Sequence, residues 1–224
     1  MSARKIISVV PSLTELLFDL GLNDEVVGIT KFCVHPKEWF RTKTRIGGTK
    51  NLNIEKIKSL QPDLILANKE ENVREQIEEL KKYFPVFVSD IKTVKDAFSG
   101  MKKIGDMVGR KTKSVNLVEE IERNFSVLNN EIKRNAAYFI WNKPMMSVGG
   151  DTFISSMMEL AGFENIFKKI NFKIFERVLN LYSFIILFSL SLSEVRNVKR
   201  RLFFIILLPS SITIFSCSFT IILS

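Results

Sequence analysis

Apolar positions along residues 4–168 alternate between unbroken runs of strand length and stretches with helical spacing. Residues 6–10 form the first such run; Pro11 and Ser12 end it and open a helix expected over residues 13–20, closed by Gly21. Ser12 and Glu15 stand at the spacing of a capping box. Residues 26–29 predict a second strand. After a loop, Asn53 is placed to cap a helix over 54–60. Residues 64–67 predict a buried strand, 73–83 an amphipathic helix and 86–88 another strand. Strands alternating with helices predict a parallel sheet covered on both faces.

From residue 93 to about 134 the helical period runs on, predicting one helix to residue 108 and a long one over about 113–133, a rigid spacer between two α/β regions. Residues 136–141 restart the strand pattern, 149–151 make a turn, and 153–161 predict a helix ended by Gly162. The expected organisation is a first α/β lobe over 1–108, a backbone helix over 109–135, the start of a second α/β lobe over 136–170 and an apolar tail over 171–224. The second lobe is thus expected to be incomplete in this chain.

From residue 163 onward the 224-residue chain contains no Ala, Gly, Asp, Gln, Met, Trp or His, and residues 202–224 carry no charged side chain. Three readings of this tail stay open. A 23-residue uncharged stretch is long enough to cross a bilayer, with Arg196, Lys199, Arg200 and Arg201 on the cytoplasmic side, and residues 184–224 then contact a membrane. A changed reading frame near residues 168–178 of an AT-rich gene leaves the same composition. An unusual soluble ending is the third.

The formal charge of +9 raises the question of nucleic acid. Lys and Arg up to residue 134 are interleaved with Glu and Asp at helical spacing, as at Glu75, Glu78, Glu79, Lys81 and Lys82, so they read as solvated helix faces. No nucleic-acid partner is expected. Cys33 and Cys217 stand far apart in unlike contexts and imply neither a disulfide framework nor a CxxC metal motif. Residues 1–5 run directly into the first strand, which is too short for a signal-peptide apolar region, so no export signal is expected in the chain as written.

Cys33, His35 and Asp151 are the metal-type residues, but two ligands in one loop fall short of the three or four that zinc takes. No metal site and no resident cofactor are expected. Cys33 beside His35 lacks the orienting third group of a thiol nucleophile, and GxSxG, P-loop and GxGxxG motifs are absent. Gly47-Gly48-Thr49-Lys50 has the wrong residue order for a phosphate loop. No enzymatic activity is expected. What remains are aromatic and small residues in loops after strands, where an open α/β sheet binds ligands: Pro11, Ser12, Phe32, Cys33, His35, Trp39, Gly47, Gly48, Asn68, Trp141 and Met145. Phe32, Trp39 and Trp141 fit equally well as packing aromatics, and His35 as a cleft-bordering or satisfied polar residue.

The segments RKIISVVPSLTELLFDLGLNDEVVGIT, RIGGTKNLNIEKIKSLQPDLILANKEEN and MSVGGDTFISSMMELAGFENIF, within residues 4–168, resemble the helical-backbone substrate-binding proteins of ABC transporters that capture vitamin B12, haem and iron–siderophore complexes, the vitamin B12 branch above all. The resemblance implies two α/β lobes joined by one long helix, a corrinoid or iron complex held between them as transported ligand, and delivery to an ABC importer permease. It also implies ligand contacts from the loop positions named above and permease contacts from acidic residues, for which Glu71 and Glu75 are the candidates. By the same resemblance the location is periplasmic or at the cell envelope, while the expectation of no export signal leaves a cytoplasmic location open. An intracellular corrinoid- or metal-complex-handling protein, or a membrane-tethered single lobe, are the alternatives.

Overall fold

A computed structural model describes residues 4–126, 128, 134–142 and 145–169. The chain divides into two compact units, with the boundary at residues 124 and 125. The 171–224 tail, and with it the choice among its readings, lies outside the described residues.

The first unit is built on a five-stranded, all-parallel sheet in the order β3-β2-β1-β4-β5. The strands are β1 (Ile6–Ser8), β2 (Val26–Ile29), β3 (Thr44–Arg45), β4 (Leu64–Asn68) and β5 (Val86–Ser89). β1 lies at the centre, with Ile7 facing Gly28 of β2 on one side and Ile65 of β4 on the other. Successive residues of a strand point to opposite faces, yet Ile6, Ile7, Ser8, Ile65, Leu66 and Ala67 are all fully buried, so both faces of the sheet are covered. Each such aliphatic side chain contributes about 1.5–3 kcal/mol by leaving water.

The expected α/β class is borne out, with differences at the ends of elements. Helix α1 spans Pro11–Asp19, so Ser12 lies inside the helix; Val10 is the N-cap, and no side chain caps the helix. The Ser12–Glu15 capping box is therefore absent, because proline at the first helical position, where no N–H donor is needed, starts the helix two residues earlier than expected. Helix α2 (Lys37–Thr42) and strand β3 occupy a stretch expected to be loop. Pro36 at the N-cap, Glu38 in the first turn and Arg41 in the last were the signals for α2. Helix α3 (Ile54–Leu60) is capped as expected, the Asn53 side chain accepting from the Lys56 amide at 2.9 Å. Helix α4 spans Arg74–Lys81.

Helix α5 (Val94–Met107) begins with a complete capping box between Thr93 and Asp96. Helix α6 spans Lys111–Ser126. The two helices meet where Gly105 faces the buried Ser114, and the Arg110 guanidinium pairs with Glu25 at 2.8 Å, tying the helix junction to the start of β2. The long helix is shorter than the expected 109–135 element: Arg134 and Asn135 lie in β6 (Arg134–Ala136), paired in parallel with Phe163 and Glu164 of β9 (Phe163–Asn165). Strand pairing supplies these backbone groups with partners, which outweighs the helical spacing of the side chains.

The second unit contains this β6–β9 pair, helix α7 (Phe153–Leu160) and the antiparallel pair β7 (Phe139–Asn142) and β8 (Met145–Ser147). Tyr138, Val148 and Met158 form its core. The buried Asn165 holds it together: its Nδ2 donates to the Val148 carbonyl and to Ser155 Oγ, both at 3.1 Å, and its Oδ1 accepts from the Phe167 amide at 3.0 Å.

Two glycines of α5 have opposite surroundings. A methyl at Gly100 would meet only Ile91, at 3.9 Å, whereas one at Gly105 would overlap the Ser114 side chain. Gly100→Ala is expected to stabilise the first unit by up to about 1 kcal/mol through helix propensity. Gly105→Ala is expected to destabilise it by about 1–3 kcal/mol through overpacking. Urea unfolding of the two variants checks the opposed signs.

Candidate functional site at the carboxyl edge of the first sheet

The strand order reverses between β1 and β4, since the chain moves outward from β1 through β2 to β3 and then returns to β4 on the other side. Loops that leave neighbouring strands in opposite directions open a crevice at the carboxyl ends of those strands. Pro11 and Ser12 follow β1, residues 30–36 follow β2, residues 46–53 follow β3, and residues 69–73 follow β4.

A turn over residues 47–52 braces this edge. Gly47 and Leu52 pair across it, and the Gly48 amide donates to the Asn51 carbonyl at 2.8 Å. Gly47 has φ +105°, and a Cβ there would stand 2.5 Å from the Asn51 carbonyl oxygen, so only glycine closes the turn without strain. On one side the Lys31 amide donates to the Gly47 carbonyl at 2.8 Å. On the other, Lys50 Nζ donates to the Glu70 carbonyl at 2.8 Å. The turn therefore spans from the loop after β2 to the loop after β4.

Asn72 fastens the brace from below. It is 7% exposed; its Nδ2 donates to the Thr49 carbonyl at 3.0 Å and to the Val9 carbonyl at 3.3 Å, and its Oδ1 accepts from the Asn68 amide at 2.8 Å. One side chain thus joins three of the loops. Asn68 is spent in the same way: its Oδ1 accepts from the Glu70 and Glu71 amides at 2.9 and 3.1 Å, and its Nδ2 donates to Ser89 Oγ at 3.2 Å. Beneath the loop after β2, the Thr14 hydroxyl lies 2.8 Å from Ser8 Oγ, 2.9 Å from the Val10 carbonyl and 3.1 Å from Cys33 Sγ.

The expected site residues separate into those on the rim and those below it. Ser12, Phe32 and His35 are exposed, Pro11, Gly47 and Asn68 are half-buried, and Gly48 is covered by Phe32. The peptide between His35 and Pro36 is cis. Cys33 and Trp39 are corrected to the core. Both are fully buried, with Cys33 Sγ held between Thr14 and Thr30, and Trp39 Nε1 donating to Asn23 Oδ1 at 2.9 Å while Phe18 packs edge-on against the ring. For Trp39 the reason is α2, which turns position 39 inward; for Cys33 it is the polar hydroxyl pair that satisfies a buried thiol. Trp141 is 52% exposed on β7 and opposes Met146, and Met145 begins β8; both belong to the second unit. Among the described residues no three His, Cys, Asp or Glu side chains converge as a metal site would need, and no helix is long and apolar enough to cross a membrane.

Glu75 is exposed in the first turn of α4, whereas Glu71 is half-buried beside the brace. Burial pushes the Glu71 carboxyl above the ordinary carboxylate range, against the opposing pull of Lys50. Lys31 and Asn72 belong to this rim without having stood out in the sequence, whereas Thr49 and Lys50 drew notice there only as an unmatched phosphate-loop pattern. Only Asn72, an asparagine one residue before a predicted helix, offered a signal there.

With this geometry in place, the likeness to known proteins is specific. The profile of the family described as periplasmic binding protein matches residues 6–181, and the chain belongs to that family. The ABC transporter substrate-binding lipoprotein YvrC of Bacillus subtilis, itself uncharacterized, is 30% identical over 175 residues, covering 72% of this chain and 55% of the relative. The vitamin B12-binding protein of Vibrio campbellii is 25% identical over 173 residues, covering 75% of this chain and 62% of the relative. The chain thus spans little more than half the length of these curated relatives. Among solved structures, the periplasmic vitamin B12-binding protein BtuF of Vibrio cholerae superposes with a TM-score of 0.69 at 22% identity, over 80% of this chain and 73% of that one, and shares the fold. A protein of Staphylococcus epidermidis described as a possible iron-binding (periplasmic solute-binding) protein reaches a TM-score of 0.67 at 27% identity, over 77% and 70%.

Two consequences are measurable. Asn72→Ala leaves buried carbonyls and an amide of three loops without partners and is expected to cost about 2–4 kcal/mol in chemical unfolding. For Glu71 the upward shift means that its contribution to stability is fully present below the ordinary carboxylate range, about pH 4.3, and is lost as pH rises through the raised value. Glu71→Gln keeps the neutral form at every pH. Its stability relative to the parent is therefore expected to rise between pH 4 and pH 7, as read by unfolding at the two pH values.

Proposed function

We propose that this chain is part of a non-enzymatic solute-binding protein of an ABC importer, which holds a flat, partly apolar metal complex of the corrinoid, haem or iron–chelate kind and presents it to a permease at the cell envelope. The observation that carries this reading is the braced carboxyl edge of a sheet in the periplasmic binding protein family, with Phe32 held 51% exposed on its rim. An exposed phenylalanine fixed at a crevice offers apolar area to a ligand face at small entropic cost, whereas no group on this rim is arranged to make or break a covalent bond. The names of the relatives, vitamin B12-binding protein and substrate-binding lipoprotein, support the ligand class and the transport role.

Pro11, Ser12, Phe32, His35, Gly47 and Gly48 are the proposed contacts of the first unit. Asn68 acts by holding its loop, and Trp141 and Met145 are the proposed contacts of the second unit. In this proposal the protein docks onto the permease through acidic residues, the exposed Glu75 and the half-buried Glu71.

The test is titration of the complete protein that carries these residues with cobalamin, haem and ferric siderophores, followed by tryptophan fluorescence. Saturable binding of one of them is expected, and Phe32→Ala is expected to weaken it about tenfold without changing the unfolding midpoint. Absence of binding across the three classes overturns the proposal.

A further inference from the structure

Lys31 stands apart from the other cations of the rim. Lys69 is paired with Asp90, and Lys50 donates to the Glu70 carbonyl, both within the protein. Lys31 is exposed, its ammonium lies 5.2 Å from the centroid of the Phe32 ring, and among the described residues no carboxylate lies within ion-pair distance of it. Its backbone is fixed by the amide hydrogen bond to Gly47. Its stem is fixed as well: a Cβ on Gly48 would stand 3.3 Å from Lys31 Cε and 3.1 Å from Phe32 Cε2, so both side chains lie against the bare glycine. The acidic groups of the rim, Glu70, Glu71 and Asp90, belong to the loops after β4 and β5. The rim is therefore asymmetric, with a cation and an aromatic face joined on one wall and carboxylates on the other.

We propose that Lys31 determines ligand specificity by charge: its ammonium receives an anionic substituent at the edge of a flat ligand whose face lies on Phe32. This deepens the function proposed above and rests on it. A lone exposed ammonium beside an aromatic face stabilises an anion that approaches along the ring edge, and the interaction is screened by salt. A neutral ligand of the same shape would use Phe32 alone.

The experiment compares ligand pairs that differ only in peripheral charge: haem against haem dimethyl ester, and cobalamin monocarboxylate against cobalamin, titrated into the full chain at low and at high salt. For the pair that binds, the anionic member is expected to bind about three- to fivefold more tightly at low salt, within the range of one exposed ion pair. The preference is expected to vanish in Lys31→Gln, persist in Lys31→Arg and shrink at high salt. Binding of a pair with equal affinity for both members, or a preference unchanged in Lys31→Gln, overturns the role of Lys31 and leaves the binding function standing. Absence of binding by all four compounds overturns the inference, and the binding function falls with it only when ferric siderophores are not bound either.

Discussion

The three residues of β1 carry more constraint than any other segment, because they lie between two parallel neighbours and under helices on both faces, with no exposure. Every backbone group of Ile6, Ile7 and Ser8 must then find its partner inside the protein. The ladders to β2 and β4 supply these, and the chain leaves β1 into helix α1 within two residues, at a proline that needs no donor. β2 takes one side of β1 and β4 the other, with β3 outside β2, so the chain direction reverses at β1. The crevice at the carboxyl edge is a consequence of that reversal.

What happens at that edge follows the same rule of polar satisfaction. Loops that meet over a buried strand end bring carbonyls with no water nearby, and Asn72 answers three loops with one amide. Ser8, Thr14, Thr30 and Cys33 do the same beneath the loop after β2. The result is a rigid rim whose polar groups are mostly committed inward, leaving Phe32, Lys31 and His35 as the chemically prominent exposed groups of its β2 side. Such a surface suits binding by shape and charge, in keeping with membership in the periplasmic binding protein family.

The second unit obeys the principle on a smaller scale. Asn165 satisfies Val148, Ser155 and Phe167 at the point where β9 leaves the α7 helix, so a core of Tyr138, Val148 and Met158 is held by one buried amide.

The sequence by itself determined the parallel α/β class, the strands at 26–29 and 64–67 and the Asn53 cap, because these depend on periodicity and on side chains acting on their own backbone, and the likeness of three segments pointed to the family. Most of the candidate rim, Pro11, Ser12, Phe32, His35, Gly47 and Gly48, was legible for the same reason, since loops after strands in a parallel sheet gather at one edge. Only the tertiary structure decided that Trp39 and Cys33 face the core, that Arg134 and Asn135 leave the helical run to pair with β9, and that Asn72 and Lys31 belong to the rim. Each of those outcomes depends on a partner between about 15 and 65 positions away in the chain, at separations where local spacing carries no information about which groups meet.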